Sequence, residues 1–432
     1  MLKRKILDNL VHWKETKHHE CLLVKGARQV GKTYIITEFG KQYYKNLIYI
    51  NFFENPTYMN IFEDSLQADE ILKKMSIYIS NFKIIPNETL IFLDEIQQCP
   101  NARTALKFLA DKEDIDVIAS GSLLGLSYNE RTSIPVGYES QMTLYPLDFE
   151  EFLWAIGINE EAIAYFKGFF DKKEKLPNGI NEEMLKKLRE YIVVGGMPEV
   201  VNKFVNTKNF SEVQKVQDKI IAAYKDDIAQ YAEVNEKPKI RRCYESIPQQ
   251  LAKENTKFQY SFVERGSTSR KYADSIQWLV DANLITMCKN VSTPLLPLTA
   301  YEKDNQFKVY LNDIGLLIGM YGFDIKARIL DNSITGYAKG GIYENLICDM
   351  LVKRGYSVHY YKTDNNSQEI EFLITQNSNI IPVEVKAGNG SSVSLNNFIQ
   401  EYNPPYAFKL INGNIGIADT KITLPLYMTM FI

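Results

Sequence analysis

The chain has 432 residues, 45% of them hydrophobic and 24% charged, and a formal net charge of −3. At roughly 100–200 residues per domain this length predicts about three domains, and the composition excludes extended disorder, a collagen-like repeat and a disulfide scaffold. The near-neutral balance excludes a globally basic protein, so any contact with nucleic acid must come from a local patch.

The first third alternates short apolar runs with amphipathic stretches. Cys21–Lys25, Leu47–Phe53, Thr89–Asp94 and Asp116–Ala119 are rich in β-branched or aromatic residues and read as strands. Helical patterns lie between them at Lys32–Phe39, about 56–80 and about 102–111. Apolar strands separated by helices imply a mostly parallel sheet in an α/β layer. Thr132–Leu144 reads as a short hairpin, and 148–156 as a helix with Asp148 as its N-cap. From about 160 to 231 the pattern is helical, interrupted by Gly-Gly-Met-Pro at 195–198, as a helical lid would be.

Residues 237–290 carry ten Lys/Arg and five Asp/Glu, a local charge of +5. Helix at 240–253, an extended piece at 258–262, helix at 269–282 and strand at 284–290 suit a winged helix-turn-helix. Arg270 and Lys271, near the start of the second helix, are placed to meet phosphates or base edges. Tyr272, Ile276, Leu279 and Val280 have core spacing, which leaves Trp278 exposed or at an interface. The last part reads as a helix at 342–354 and strands at 357–362, 369–375 and 380–386.

Other signals are negative. The cysteines (21, 99, 243, 288 and 348) form no C-x-x-C pair and read as reduced, buried thiols. His12, His18, His19 and His359 have no metal-binding spacing. The N-terminus lacks the apolar core of a signal peptide, and no apolar run approaches 18 residues. A cytoplasmic protein without a membrane span is expected.

The most specific motif is Gly26-Ala27-Arg28-Gln29-Val30-Gly31-Lys32-Thr33, a complete GxxxxGKT between a strand and a helix. Its glycines let the backbone turn its N–H groups towards phosphates, and the helix N-terminus adds the positive end of its dipole. Lys32 is expected to reach the β/γ-phosphates and the Thr33 hydroxyl to ligate Mg²⁺. Asp94-Glu95 closes the apolar strand 89–94. Asp94 would hold Mg²⁺ through water beside Thr33, and Glu95 would polarise the attacking water as general base. Strand 116–119 runs into Ser120-Gly121-Ser122, where either serine could sense the γ-phosphate.

VKGARQVGKT, FLDEIQ, ASGSLL, YPLDFEEFL, VVGGMPEVV and the C-terminal GGIYENLI, EIEFLI and PVEVKAG together resemble the AAA-type ATPases with a DUF4143 C-terminal region. The resemblance spans nearly the whole chain. It implies a P-loop, AAA+-like parallel sheet over 1–157, a helical lid over 158–236, a winged-helix segment over 237–335 and a restriction-endonuclease-like α/β domain over 336–432. It also implies ATP as ligand. Relatives often carry a Gly-Arg pair shortly after the Ser-Gly-Ser turn, whereas here the nearest arginine is Arg131, at a different spacing.

Residues two apart on a strand share a face, so Glu384 projects with Lys386, and Glu369 with Glu371. Glu344 lies on the preceding helix. Carboxylates on adjacent strands plus a lysine are the layout of a Mg²⁺-dependent phosphodiester-cleaving site. The arrangement resembles the PD-(D/E)xK nuclease fold with Glu371, Glu384 and Lys386 at the motif positions and Glu344 as a further metal ligand. The usual central Asp is here the longer Glu371.

The expectation is therefore an ATP- and Mg²⁺-dependent ATPase coupled to remodelling of DNA, RNA or a protein partner, with an oligomer among its working states. Two alternatives stay open: an ATP-gated binding switch with negligible turnover, and an ATP-regulated nuclease.

Overall fold

The apolar runs of the first third are strands of one parallel sheet. The computed structural model describes residues 2–16, 20–122, 137–363, 368–388 and 392–432. It divides into two compact units, one of residues 4–145 with 281–283 and one of residues 1–3, 146–280 and 284–432.

The first unit contains, in order, α1 (Ile6–Glu15), β1 (Cys21–Lys25), α2 (Lys32–Tyr43), β2 (Asn46–Asn51), α3 (Ala68–Tyr78), β3 (Thr89–Asp94), α4 (Pro100–Ala110), β4 (Asp116–Gly121) and β5 (Glu139–Thr143). The strands lie in the order β2-β3-β4-β1-β5, and every pairing is parallel. All six residues of β3 are buried, as a strand covered on both faces requires. One core layer packs Ile48, Ile50, Ile91 and Leu93 of the strands against Met75 of α3 and Leu106 of α4. This is the parallel α/β layer expected from the alternation of apolar strands and helices.

The hairpin expected at 132–144 falls partly outside the described residues. Residues 123–136 lie outside the described residues, and Glu139–Thr143 is a fifth parallel strand paired with β1, Leu23 opposite Gln141. β5 is a half-exposed edge strand, so its polar alternation looked like that of a solvent-facing hairpin.

The second unit opens with α5 (Phe149–Ala155), α6 (Glu160–Lys172), α7 (Asn178–Val194), α8 (Pro198–Thr207), α9 (Phe210–Tyr231), α10 (Lys237–Leu251), α11 (Tyr260–Val263) and α12 (Ser269–Asp281). Asp148 caps α5 as expected: its side chain accepts from the Glu151 N–H (2.8 Å), and Glu151 accepts in return from the Asp148 N–H (3.1 Å). After these come β6 (Ile285–Val291), β7 (Glu302–Leu311), α13 (Ile314–Tyr321), α14 (Asp324–Leu330), α15 (Tyr337–Lys353), β8 (His359–Lys362), β9 (Glu369–Gln376), β10 (Asn379–Lys386), α16 (Val393–Tyr402), β11 (Ala407–Ile411), β12 (Gly416–Ala418) and β13 (Lys421–Pro425). Their strands form one mixed sheet, β12-β13-β11-β10-β9-β8-β6-β7. β6 pairs antiparallel with β7 and parallel with β8, so strands on both sides of residue 336 share a sheet.

Two further expectations change. The extended piece at 258–262 is limited to its start, where Lys257 bridges to Lys308 and the Phe258 N–H donates to the Phe307 carbonyl. The chain then turns into α11, with Phe258 stacked on Phe307 at 5.5 Å. Trp278 is buried, because α12 is covered over a face wide enough to take in Tyr272, Ser275, Ile276, Trp278 and Leu279.

The Gly-Gly-Met-Pro interruption is a crossing of backbones. A Cβ on Gly196 would lie 2.0 Å from the Leu147 carbonyl oxygen, and one on Gly315 2.3 Å from that of Val194. Asp313 locks the crossing by accepting from the N–H groups of Gly196 (2.6 Å) and Leu316 (2.8 Å). Among the described residues no helix is long and apolar enough to cross a membrane.

Candidate nucleotide-binding site

β1 runs between β4 and β5 and delivers residues 26–31 to the start of α2. The turn needs its glycines. Gly26 has φ +151°, and a Cβ there would fall 2.2 Å from the Leu144 carbonyl oxygen. Gly31, at the N-cap of α2, has φ +94°, and Gln29 is also left-handed at +64°. Ala27 and Val30 are buried and anchor the loop, whereas Gln29 is exposed and Arg28 half-buried. Arg4 braces the loop from below, donating from Nη1 to the Val30 carbonyl (3.1 Å) and from Nη2 to that of Tyr145 (2.6 Å).

Lys32 folds over this loop. Its Nζ donates to the carbonyls of Gly26 (2.9 Å) and Ala27 (2.8 Å). Burial pushes its ammonium down to about 8, with Glu95 and then Asp94 pulling the other way.

Asp94 ends β3 opposite Asn51 of β2 and is 1% exposed. It is surrounded by donors. Its Oδ2 accepts from the Thr33 hydroxyl (2.8 Å) and the Tyr49 hydroxyl (3.1 Å). Its Oδ1 accepts from the Glu95 N–H (3.1 Å) and the Ser120 hydroxyl. Asn51 in turn donates to the Tyr49 hydroxyl at 2.9 Å. Glu95 sits in the left-handed region (φ 54°, ψ 44°), and its side chain accepts from the Gln97 amide.

The structure thus brings together Lys32, Thr33, Asp94, Glu95 and Ser120. Of the two serines left unranked, Ser120 meets Asp94, and Ser122 is buried with its hydroxyl unpartnered among the described residues. Arg131 lies outside the described residues. Sequence reading missed Arg4, Tyr49, Asn51 and Gln97. Asn51 had a signal, being the lone polar residue inside the apolar run 47–53.

The acids of the C-terminal sheet are arranged differently. Lys308, 1% exposed, lies 3.0 Å from Glu344 and 2.8 Å from Glu369. Glu344 Oε2 also accepts from Tyr310 (2.9 Å) and Thr256 (3.1 Å). Lys362 takes the other oxygen of Glu369 at 2.6 Å. Lys386 lies 3.5 Å from Glu371 and 3.2 Å from the fully buried Glu384. Burial alone would raise Glu369, yet Lys308 and Lys362 hold it down to about 2. Burial pushes Glu371 up to about 7 in spite of Lys386. The expected metal set Glu344, Glu371 and Glu384 is therefore interleaved with lysines, and among the described residues no three acidic, His or Cys groups are placed to hold a metal ion.

The basic segment is partly self-neutralised. Lys271 pairs with Glu264 at 2.5 Å and Arg242 approaches the same carboxylate at 3.6 Å. Arg241 and Lys225 share Glu245. Arg270 is exposed and has no ion-pair partner among the described residues.

Residues 18–153 match the AAA domain family, and residues 339–428 match a domain of unknown function, DUF4143. This chain carries an AAA domain and a DUF4143 domain. A further domain of unknown function, DUF8612, matches residues 185–327, between the AAA domain and the DUF4143 domain. An uncharacterized protein of Methanocaldococcus jannaschii is 26% identical over 408 residues, covering 88% of this chain and 80% of that protein. One from Haemophilus influenzae is 23% identical over 396 residues, covering 88% and 85%. Among solved structures, a Walker-type ATPase of Pyrococcus abyssi is 12% identical, covers 74% of this chain and 96% of its own, and has a TM-score of 0.45. The ORC1 protein of Aeropyrum pernix, solved in complex with DNA, is 12% identical, covers 75% and 93%, and has a TM-score of 0.32. Likeness at that level adds nothing to the AAA domain's fold as described above.

Proposed function

We propose that the chain binds ATP with Mg²⁺ on the loop 26–33, hydrolyses it, and couples turnover to remodelling of a nucleic acid or a protein partner in the cytoplasm. The observation that carries this reading is the 2.8 Å hydrogen bond from Thr33 to Asp94, which joins the phosphate-binding loop to the acidic end of β3. These residues fit the ligand: glycine-permitted backbone turns that expose N–H groups, one buried ammonium, and a hydroxyl–carboxylate pair of the type that holds Mg²⁺. Mg²⁺, when bound, neutralises charge developing on the transferred phosphoryl group.

The chain's own residues do the rest. The backbone of 26–31 cradles the phosphates, and Lys32 exchanges its two loop carbonyls for phosphate oxygens. Thr33 and Asp94 hold the metal, the acid keeping its orientation through Tyr49, Ser120 and the Glu95 N–H. Glu95 draws a proton from the attacking water. Ser120, on the same carboxylate as Thr33, is the better placed of the two serines to respond to the γ-phosphate. Exposed Arg270 supports a contact with nucleic-acid phosphates on α12.

The deciding measurement is ATP turnover of wild type and Glu95→Gln, alongside ATP affinity. The expected outcome is a loss of about 100-fold in kcat with affinity retained. Equal rates in the two proteins would remove Glu95 from the mechanism.

A further inference from the structure

FLDEIQ contains more than its two acids. Residues 96–98 form a single turn of 3₁₀ helix directly after Glu95. Ile96 is fully buried and pins that turn to the core, so the side chains on either side of it are fixed relative to each other. Gln97 is 9% exposed and donates its Nε2–H to the Glu95 carboxylate, while its Oε1 is buried with no partner among the described residues.

That is an unusual state for a buried amide. Such groups normally satisfy both ends, and one left half-satisfied calls for an explanation. Packing alone supplies none, since an apolar side chain of equal size would fill the space without stranding a carbonyl. The one bond that Gln97 makes is to the carboxylate assigned the proton from water. Glu95 needs help to hold its aim. Its backbone is in a left-handed conformation that the neighbouring structure must maintain, and it is only half-buried. Its carboxylate also faces Lys32, for which it is the foremost stabilising charge.

We propose that Gln97 is a positioning residue for the hydrolytic reaction: its amide clamps Glu95 in the orientation that takes the proton from water. The inference rests on the ATPase reading above and goes beyond it by naming what fixes the base. In this role Gln97 acts through Glu95, the one side chain it is bonded to among the described residues.

The test uses the full chain with ATP and Mg²⁺ and compares wild type, Gln97→Met, Gln97→Glu, Glu95→Gln and the double variant Gln97→Met/Glu95→Gln. Methionine keeps the volume and removes the donor, and unchanged ATP affinity reports an intact fold. Gln97→Met is expected to lower kcat about tenfold with KM within about twofold, because the orientation of the base, not substrate binding, is lost. Gln97→Glu sets like charges side by side and is expected to lower kcat at least as far. In the Glu95→Gln background the Gln97→Met change should cost nothing further, since the group it serves is gone. A merely structural role would give additive losses, or a change in KM and stability with kcat preserved, and either result overturns the proposal. If wild type itself shows no turnover, the ATPase reading fails and this one falls with it. If wild type turns over and Gln97→Met matches it, only the positioning role is lost.

Discussion

Both units set carboxylates at the ends or faces of strands, yet they treat them in opposite ways. Asp94 is met by three hydroxyls and an amide N–H, all neutral donors. Its negative charge is oriented but not cancelled, and remains available to a metal and its waters. The acids of the C-terminal sheet are met by ammonium groups. Lys308, Lys362 and Lys386 stand among Glu344, Glu369, Glu371 and Glu384, and the elevated Glu371 can hold a proton against the remaining charge. A carboxylate motif therefore does not by itself announce a metal: what decides is whether its counter-charge comes from inside the chain. In the first site the carboxylate is oriented by neutral groups, whereas in the second three lysines of the same chain stand directly against the acids.

This contrast can be broken at either end. The largest effect is expected from Lys308→Met, which removes a buried cation from between two half-buried acids, Glu344 and Glu369, and should cost about 3 kcal/mol of stability in urea unfolding. A loss below about 1 kcal/mol would mean the cluster does not depend on its lysines. Lys32→Ala should show the reverse profile. ATP turnover falls at least 100-fold, equivalent to about 2.7 kcal/mol, while the unfolding midpoint barely moves. Unchanged turnover would sink the assignment of the phosphate-binding loop.

A smaller effect sharpens the comparison through pH. Asp349, paired with Lys353 at 2.8 Å and fully enclosed, is pushed up to about 7 by burial, with Lys353 opposing. Its folded value is above its unfolded one, so the folded chain keeps a proton that the unfolded chain has released. Stability from this group is therefore lost as pH rises from about 4 to about 7, and is flat above. Thermal unfolding across that window should show the decline, to which the raised Glu371 also contributes, and Asp349→Asn should make it shallower. An unaltered slope in the variant would assign the titration elsewhere.

How legible was all this in the residues? The parallel sheet and the strand-to-helix turn at 26–31 were, because fully buried strands and the glycines of GxxxxGKT leave little freedom. The helical stretch from 160 was equally plain, including its break at 195–198. What escaped had physical reasons. β5 carries the mixed pattern of an edge strand. Arg4 reaches the loop through long-range hydrogen bonds that no local spacing encodes, and Tyr49 looked like strand filling until β2 and β3 were set in register. The lysine-interleaved acids were the hardest case. Lys308 lies 36 positions from Glu344, so the sequence displayed the acids and hid their partner.

The pairing of β6 with β8 has a practical corollary. Cutting the chain between residues 335 and 336 would strip β6 of a neighbour and leave its ladder of N–H and C=O groups open at an edge. Fragments 237–335 and 336–432 prepared separately should thus be prone to self-association. Dissection of this protein by truncation should keep the eight-stranded sheet whole.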